Sequence, residues 1–255
     1  MITLETRTLN HDFGGLRAVS ALDLQVRAGE LLGIIGPNGA GKTTVFNLIT
    51  GVYRPTAGRI VWKGQDLVGL EPHQITARGI GRTFQNIRLF RELSVLDNVR
   101  IACFGKASYG PLEALFGLKR FRQEERRIIE ASRELLVRFG LESVMAERAG
   151  ALSYGMQRRL EMARALATGP ELLLLDEPAA GMNPAEIEDL MAFITWMRSA
   201  FKLTIVLIEH QMRLVMGICE RLHVLDFGAT LAEGTPQEVR RNPAVIKAYL
   251  GEDAA

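Results

Sequence analysis

Gly36-Pro37-Asn38-Gly39-Ala40-Gly41-Lys42-Thr43 is the segment of the chain most clearly built for chemistry. It fits the pattern G-x-x-x-x-G-K-[ST] and lies between the apolar run Leu31–Ile35 and a helical stretch from about Thr43 to Thr50, which Gly51 stops. Glycines let successive backbone N–H groups turn inward around phosphate oxygens, and the helix N-terminus adds partial positive charge. Lys42 is placed to reach the β- and γ-phosphates of a nucleotide, and the Thr43 hydroxyl to ligate Mg²⁺. A plain glycine turn capping a helix satisfies the same letters, but the strand–loop–helix setting favours the phosphate cradle.

Two further clusters carry polar chemistry. Leu172-Leu173-Leu174-Leu175-Asp176-Glu177 is an apolar strand ending in two carboxylates. Asp176 would hold Mg²⁺ directly or through water, and Glu177 would polarise a water for attack on the γ-phosphate. Alone, such a pair reads as solvated acids after a strand. A phosphate loop earlier in the chain shifts the balance. Leu152-Ser153-Tyr154-Gly155-Met156-Gln157-Arg158-Arg159 precedes a helical pattern carrying Leu160, Ala163, Leu166 and Ala167. A serine hydroxyl and a glycine at a helix start make an anion site or an ordinary N-cap.

The elements that must position these residues follow an α/β order. Ile2, Leu4, Thr6 and Thr8 alternate as in a half-buried strand, as do Leu22, Leu24 and Val26. The continuous runs Leu31–Ile35, Leu172–Leu175 and Leu203–Ile208 predict strands covered on both faces, with further strands at Arg59–Trp62 and Leu222–Leu225. From Val95 to Phe139 the pattern turns helical. Asn183, Pro184 and Glu186 predict a capping box at a helix start, and Thr235-Pro236-Gln237-Glu238 repeats the device. The layout is a sheet domain with a helical insertion near its middle.

Composition narrows the classes. The chain has 255 residues, 47% hydrophobic and 24% charged, enough for a sizeable core. A net charge of +2 gives no electrostatic case for nucleic acid. Cys103 and Cys219 form no C-x-x-C pair, so reduced cysteines packed as small hydrophobes are expected. No signal peptide is expected at the start, and the apolar runs are too short to span a bilayer, so work at a membrane would go through other subunits.

The phosphate loop, Gln85, the Leu152–Met156 segment, Asp176-Glu177 and His210 occur in the order found in the nucleotide-binding subunits of ATP-binding-cassette (ABC) transporters, which the chain resembles over almost its whole length. The resemblance implies an α/β P-loop NTPase core with a mixed sheet, an N-terminal antiparallel β subdomain and an inserted α-helical subdomain. It also implies one ABC ATPase domain over 1–255, with residues 1–85 and 170–255 as the catalytic core and 86–169 as the helical signature subdomain. The cofactors implied are ATP and Mg²⁺. Gly36, Pro37, Asn38, Gly39, Ala40, Gly41, Lys42, Thr43 and Thr44 would surround the phosphates, and Phe13 would stack on adenine. Gln85 would touch Mg²⁺ or the attacking water, Glu177 would act as general base, and His210 would contact the γ-phosphate. Ser153 and Gly155 would face the glycine loop of a second ATP-binding subunit, identical or homologous, in a face-to-face dimer. Asn183 occupies a segment where many relatives carry aspartate.

A narrower resemblance is to the ATPase subunits of branched-chain amino-acid importers. It is carried by Gly81–Phe90, Leu152–Gly155, Pro178–Gly181, Ile208–His210 and the tail Ala248-Tyr249-Leu250-Gly251-Glu252, with Cys103–Gln123 similar to the longer of the two subunits. It implies a peripheral protein on the cytoplasmic face of the cell membrane, bound to two permease subunits and served by a periplasmic solute-binding protein. Residues from about Asn86 to Arg100 would receive the permease. Met156 departs from the glutamine usual in relatives, which leaves either weaker contacts to nucleotide or compensation by Gln157. Other solutes (urea, amides, other amino acids), lipopolysaccharide export and non-transport ABC ATPases are the alternatives.

Overall fold

A computed structural model describes residues 1–250. In chain order the first half contains β1 (Ile2–Phe13), β2 (Leu16–Leu22), β3 (Gln25–Arg27), β4 (Leu31–Ile35), α1 (Lys42–Ile49), β5 (Ala57–Trp62), β6 (Gln65–Asp66), α2 (Pro72–Ala77), β7 (Ile80–Arg82), α3 (Val95–Cys103), α4 (Pro111–Leu115) and α5 (Lys119–Arg138). The second half contains α6 (Tyr154–Ala167), β8 (Leu172–Asp176), α7 (Pro184–Phe201), β9 (Thr204–Ile208), α8 (Met212–Ile218), β10 (Arg221–Asp226), β11 (Ala229–Gly234), α9 (Pro236–Arg241) and α10 (Pro243–Leu250). Of the tail segment singled out above, Gly251 and Glu252 lie outside the described residues. Two compact units emerge: Met1–Gln85 with the chain from Glu171 onward, and Asn86–Pro170.

The first unit holds two sheets. The six-stranded sheet runs β11-β10-β4-β9-β8-β7 and is parallel except for β11, which pairs antiparallel to β10. Every residue of β4, β8 and β9 is buried, as continuous apolar runs require of strands covered on both faces. Their register places Ile34 opposite Ile208, and Ile208 opposite Asp176. The glycine loop, Asp176-Glu177 and Glu209-His210 therefore leave the same carboxyl edge of the sheet, where open α/β sheets bind ligands.

The other sheet is antiparallel, in the order β2-β1-β5-β6 with β3 also on β1. Here the expected alternation fails part-way. Leu4 and Thr6 point inward, but Ile2 is 43% exposed and Thr8 is exposed with φ 43°. The left-handed turn at Thr8, whose N–H donates to Asp23 Oδ1 at 2.6 Å, shifts the ladder to β5 between Arg7 and Asn10. Leu9 and His11 then face the core instead. Gly58 permits the bulge: at φ 90° a Cβ there would lie 2.3 Å from the Thr8 carbonyl oxygen. Leu22, Leu24 and Val26 are all buried, yet the strand breaks between β2 and β3.

The second unit is helical. The expected helical stretch Val95–Phe139 is broken into α3, α4 and α5, where Gly110-Pro111 starts a new helix and Gly117, at φ 56°, ends it. Buried Asn98 on α3 accepts from the Phe90 N–H and donates to the Phe90 carbonyl, both at 3.0 Å, which fixes the preceding loop. Within the Asn86–Arg100 segment expected to receive the permease, Val95 is buried, while Phe90 and Leu93 are exposed. The capping boxes at Asn183/Glu186 and Thr235/Glu238 form as expected. Among the described residues, no helix is long and apolar enough to cross a membrane.

Both cysteines are free, and Cys219 is buried. Burial, with Glu209 and Glu220 nearby, pushes its thiol up to about 12. A thiol reagent at mildly alkaline pH is therefore expected to label half-buried Cys103 and to spare Cys219 until the protein is denatured. Mass mapping of the labelled peptides checks this.

Candidate functional site

The glycine loop is shaped by backbone that admits no side chain. At Gly36, φ 151°, a Cβ would sit 2.1 Å from the Leu225 carbonyl oxygen; at Gly41, φ 96°, it would sit 2.4 Å from that of Ala18. Strands β10 and β2 thus press on the loop from outside. The Ala40 carbonyl also accepts from the Gly228 N–H at 3.1 Å. Lys42 folds back over the loop, its Nζ donating to the carbonyls of Gly36 at 2.7 Å and Pro37 at 2.9 Å. Burial lowers its pKa, while the carboxylates of Glu177 and Asp176 oppose that shift. Asn38, Gly39 and Thr43 are exposed, and Pro37 and Thr44 half-buried, so the loop's mouth is accessible.

Glu177 sits in left-handed backbone at φ 45°, an uncommon conformation for a residue with a side chain. Its N–H donates to the Ile208 carbonyl at 2.9 Å. This turn swings the carboxylate to Gln85, whose Nε2 donates to Glu177 Oε2 at 2.6 Å, and to His210, whose Nδ1 lies 3.7 Å from the same oxygen. The structure thus brings Gln85, Glu177 and His210 together at one edge of the sheet, beside the charge of Lys42.

Asp176 is 2% exposed and is paired with Arg82, whose Nη2 lies 2.8 Å from Oδ2. The same guanidinium donates to Asn47 Oδ1 and Thr50 Oγ1 on and after α1, at 2.7 and 3.1 Å, and lies over the rings of Phe46 and Phe84. Sequence reasoning missed Arg82. Its signal, a cation ending a strand, acquires meaning only once β7 is known to pair with β8, where Arg82 stands opposite Leu174.

Glu209 was also missed as a positioning group. It is wholly buried, and its carboxylate accepts from the N–H groups of Ala179, His210 and Gln211 at 2.8, 2.9 and 3.0 Å. It ties the turn after Glu177 to the turn carrying His210. Glu209→Ala would strand three N–H donors, so a stability loss of about 3 kcal/mol is expected. Chemical denaturation checks the loss, and Glu209→Gln, which keeps an acceptor, is expected to recover part of it.

Phe13 ends β1 and is 45% exposed, so it is not a core residue; its ring meets His11 and Tyr53 edge-on at 4.6 and 5.3 Å between centroids. Ser153 and Gly155 belong to the helical unit and are both exposed. Ser153 caps α6, its Oγ 3.5 Å from the Met156 N–H. The Gln157 amide donates to the Leu152 carbonyl at 2.8 Å, so that group is already engaged within its own turn.

With this geometry established, comparison with known proteins decides the family. The family described as "ABC transporter" matches residues 19–180, and the family described as "Branched-chain amino acid ATP-binding cassette transporter" matches residues 229–255. The chain belongs to the ABC transporter family. The resemblance expected from the motifs is borne out, and an ABC cassette is an ATPase, so the chain is one. The high-affinity branched-chain amino acid transport ATP-binding protein BraF of Pseudomonas aeruginosa is 47% identical over 98% of both chains. The lipopolysaccharide export system ATP-binding protein LptB of Escherichia coli is 36% identical over 99% of both. Among solved structures, the ADP conformation of MJ1267, an ATP-binding cassette of an ABC transporter, superposes with a TM-score of 0.85 at 32% identity, covering 99% of this chain and 100% of that one. The expected ABC ATPase fold, with its mixed and antiparallel sheets and its helices, is the fold observed.

Proposed function

We propose that this ABC ATPase energises the import of branched-chain amino acids, working at the cytoplasmic face of the cell membrane with two permease subunits and a second cassette. The observation that carries the solute class is the 47% identity to BraF over 98% of both chains, against 36% for LptB. A lipopolysaccharide exporter is the second reading, supported only by that lower figure.

In this reading Gly36–Thr44 surrounds the triphosphate and the Lys42 ammonium leaves the carbonyls of Gly36 and Pro37 for phosphate oxygens. The match is one of charge: a buried ammonium already offset by Glu177 and Asp176 gains stronger acceptors. Thr43, Asp176 and Gln85 would hold Mg²⁺, which would supply positive charge against that of the triphosphate. The donor set fits a hard cation, being hydroxyl, carboxylate and amide oxygen. Glu177, oriented by Gln85 and near His210, takes the proton of the attacking water or orients it. His210 contacts the γ-phosphate, and the half-exposed Phe13 ring offers a face for adenine. Exposed Ser153 and Gly155 complete the site of the opposing cassette, so ATP closes the pair and hydrolysis releases it.

The test is to co-purify the chain with its membrane subunits, reconstitute them in liposomes and supply the external receptor. ATP-dependent accumulation of leucine, isoleucine or valine is expected. ATP hydrolysis without uptake of these solutes would discard the solute class and leave the ATPase intact.

A further inference from the structure

Four large apolar side chains lie uncovered within seven residues of the helical unit. Leu112, Leu115, Phe116 and Leu118 are 69%, 76%, 70% and 48% exposed. Leu112 and Leu115 of α4 and Phe116, its C-cap, stand at i, i+3 and i+4, so they share one face. The segment is held in place. The Tyr109 ring packs edge-on against Phe121 of α5 at 5.0 Å, and the Tyr109 hydroxyl donates to Glu125 at 2.8 Å. Glu113 accepts from the Gly110 N–H at 2.7 Å, and the Leu118 N–H donates to the Glu113 carbonyl at 3.0 Å. The face is therefore presented on anchored backbone.

The exposed charge beside this face is positive. Exposed Lys119, Arg120 and Arg122 follow it directly, and Arg126 and Arg127 lie one to two turns further along α5. The nearby acids are already engaged. Glu113 faces Arg120 at 3.7 Å, Glu124 faces Arg127 at 3.7 Å, and Glu125 binds Arg100 at 3.0 Å as well as Tyr109. Among the described residues, Lys119, Arg122 and Arg126 have no ion-pair partner.

Leucines and a phenylalanine that can enter the acyl boundary, edged by cations that pair with phosphates, are what an interfacial membrane contact needs. We propose that the face formed by Leu112, Leu115, Phe116 and Leu118, with Lys119 and Arg122, docks directly on an anionic phospholipid surface. This contact is additional to any made through membrane subunits and is independent of which solute is carried. It needs no helix that spans the bilayer, since α4 is only five residues long.

Cosedimentation of the full chain, without other subunits, tests this. The probes are vesicles of phosphatidylcholine alone and of phosphatidylcholine with phosphatidylglycerol. Binding to the anionic vesicles at least tenfold tighter than to neutral ones is expected, weakening as salt is raised. The double variant Leu115→Glu with Phe116→Glu, and separately Lys119→Glu with Arg122→Glu, should each lose at least tenfold in vesicle binding while keeping ATP affinity and circular dichroism. Wild-type chain that stays in the supernatant with anionic vesicles would overturn the proposal, as would variants that sediment like wild type. If wild type ignores vesicles while Leu115→Glu with Phe116→Glu loses co-purifying membrane subunits, the face is a protein contact and the lipid proposal is wrong.

Discussion

Glu177→Gln is expected to bind ATP within a few-fold of wild type and to hydrolyse it about 100-fold more slowly, or slower still. The size of the effect follows from what the substitution changes. The glutamine side chain has nearly the same shape, and its carbonyl oxygen can still accept from Gln85 Nε2, which lies 2.6 Å from the present Glu177 oxygen. The left-handed turn at φ 45° is a backbone property that both residues bear alike. What is lost is the negative charge and the capacity to take a proton. In the proposed reading nucleotide binding rests on the glycine loop and Lys42, and Glu177→Gln removes one of the two carboxylates whose charge acts on Lys42, so it adds no negative charge that would weaken the attraction of the loop for phosphate. Binding measured with a fluorescent ATP analogue, and phosphate release measured on the same preparation, separate the two quantities. Turnover close to wild type would remove Glu177 from the chemistry.

Arg82→Met is expected to be among the most destabilising single changes in the chain. It deletes the partner of Asp176 in a pair whose side chains are 6% and 3% exposed. An uncompensated buried carboxylate costs about 3–5 kcal/mol, which in a chain of this size corresponds to a melting temperature lower by roughly 10 °C. The bonds from Arg82 to Asn47 and Thr50 disappear with it, loosening the link between β7 and α1 behind the glycine loop. The double variant Arg82→Met with Asp176→Asn is expected to recover part of the loss, because the buried charge is then gone from both sides. Thermal denaturation of the two variants checks this. Equal melting temperatures for wild type and Arg82→Met would mean that the pair contributes little.

The elements that place the site were legible wherever one physical signal dominated. Leu31–Ile35, Leu172–Leu175 and Leu203–Ile208 are apolar throughout because both faces of a parallel strand are covered, and they became β4, β8 and β9. The caps at Asn183 and Thr235 were legible because side chain and backbone satisfy each other within four residues. Reading failed where a contact distant in sequence sets the local conformation. Alternation along β1 broke at Thr8, whose turn depends on Asp23 and on the gap left by Gly58. Arg82 and Glu209 were passed over for the same reason. An arginine ending a strand and a glutamate after one are ordinary in sequence. Their roles arise from Asp176, 94 residues away from Arg82, and from Ala179, 30 residues away from Glu209. The convergence of Gln85, Glu177 and His210 was inferred from a family resemblance, since nothing in their spacing alone brings them together.

In the proposed function this chain hydrolyses ATP in a site completed by a second cassette. The most direct test is phosphate release from Mg²⁺-ATP, without any acceptor substrate, across a wide range of chain concentration. Specific activity that rises with concentration as pairs form, and that falls when Ser153 is replaced by a bulky residue, is the predicted result. Phosphate release that requires an acceptor, or a specific activity that stays constant over the whole range and is indifferent to Ser153, would contradict it.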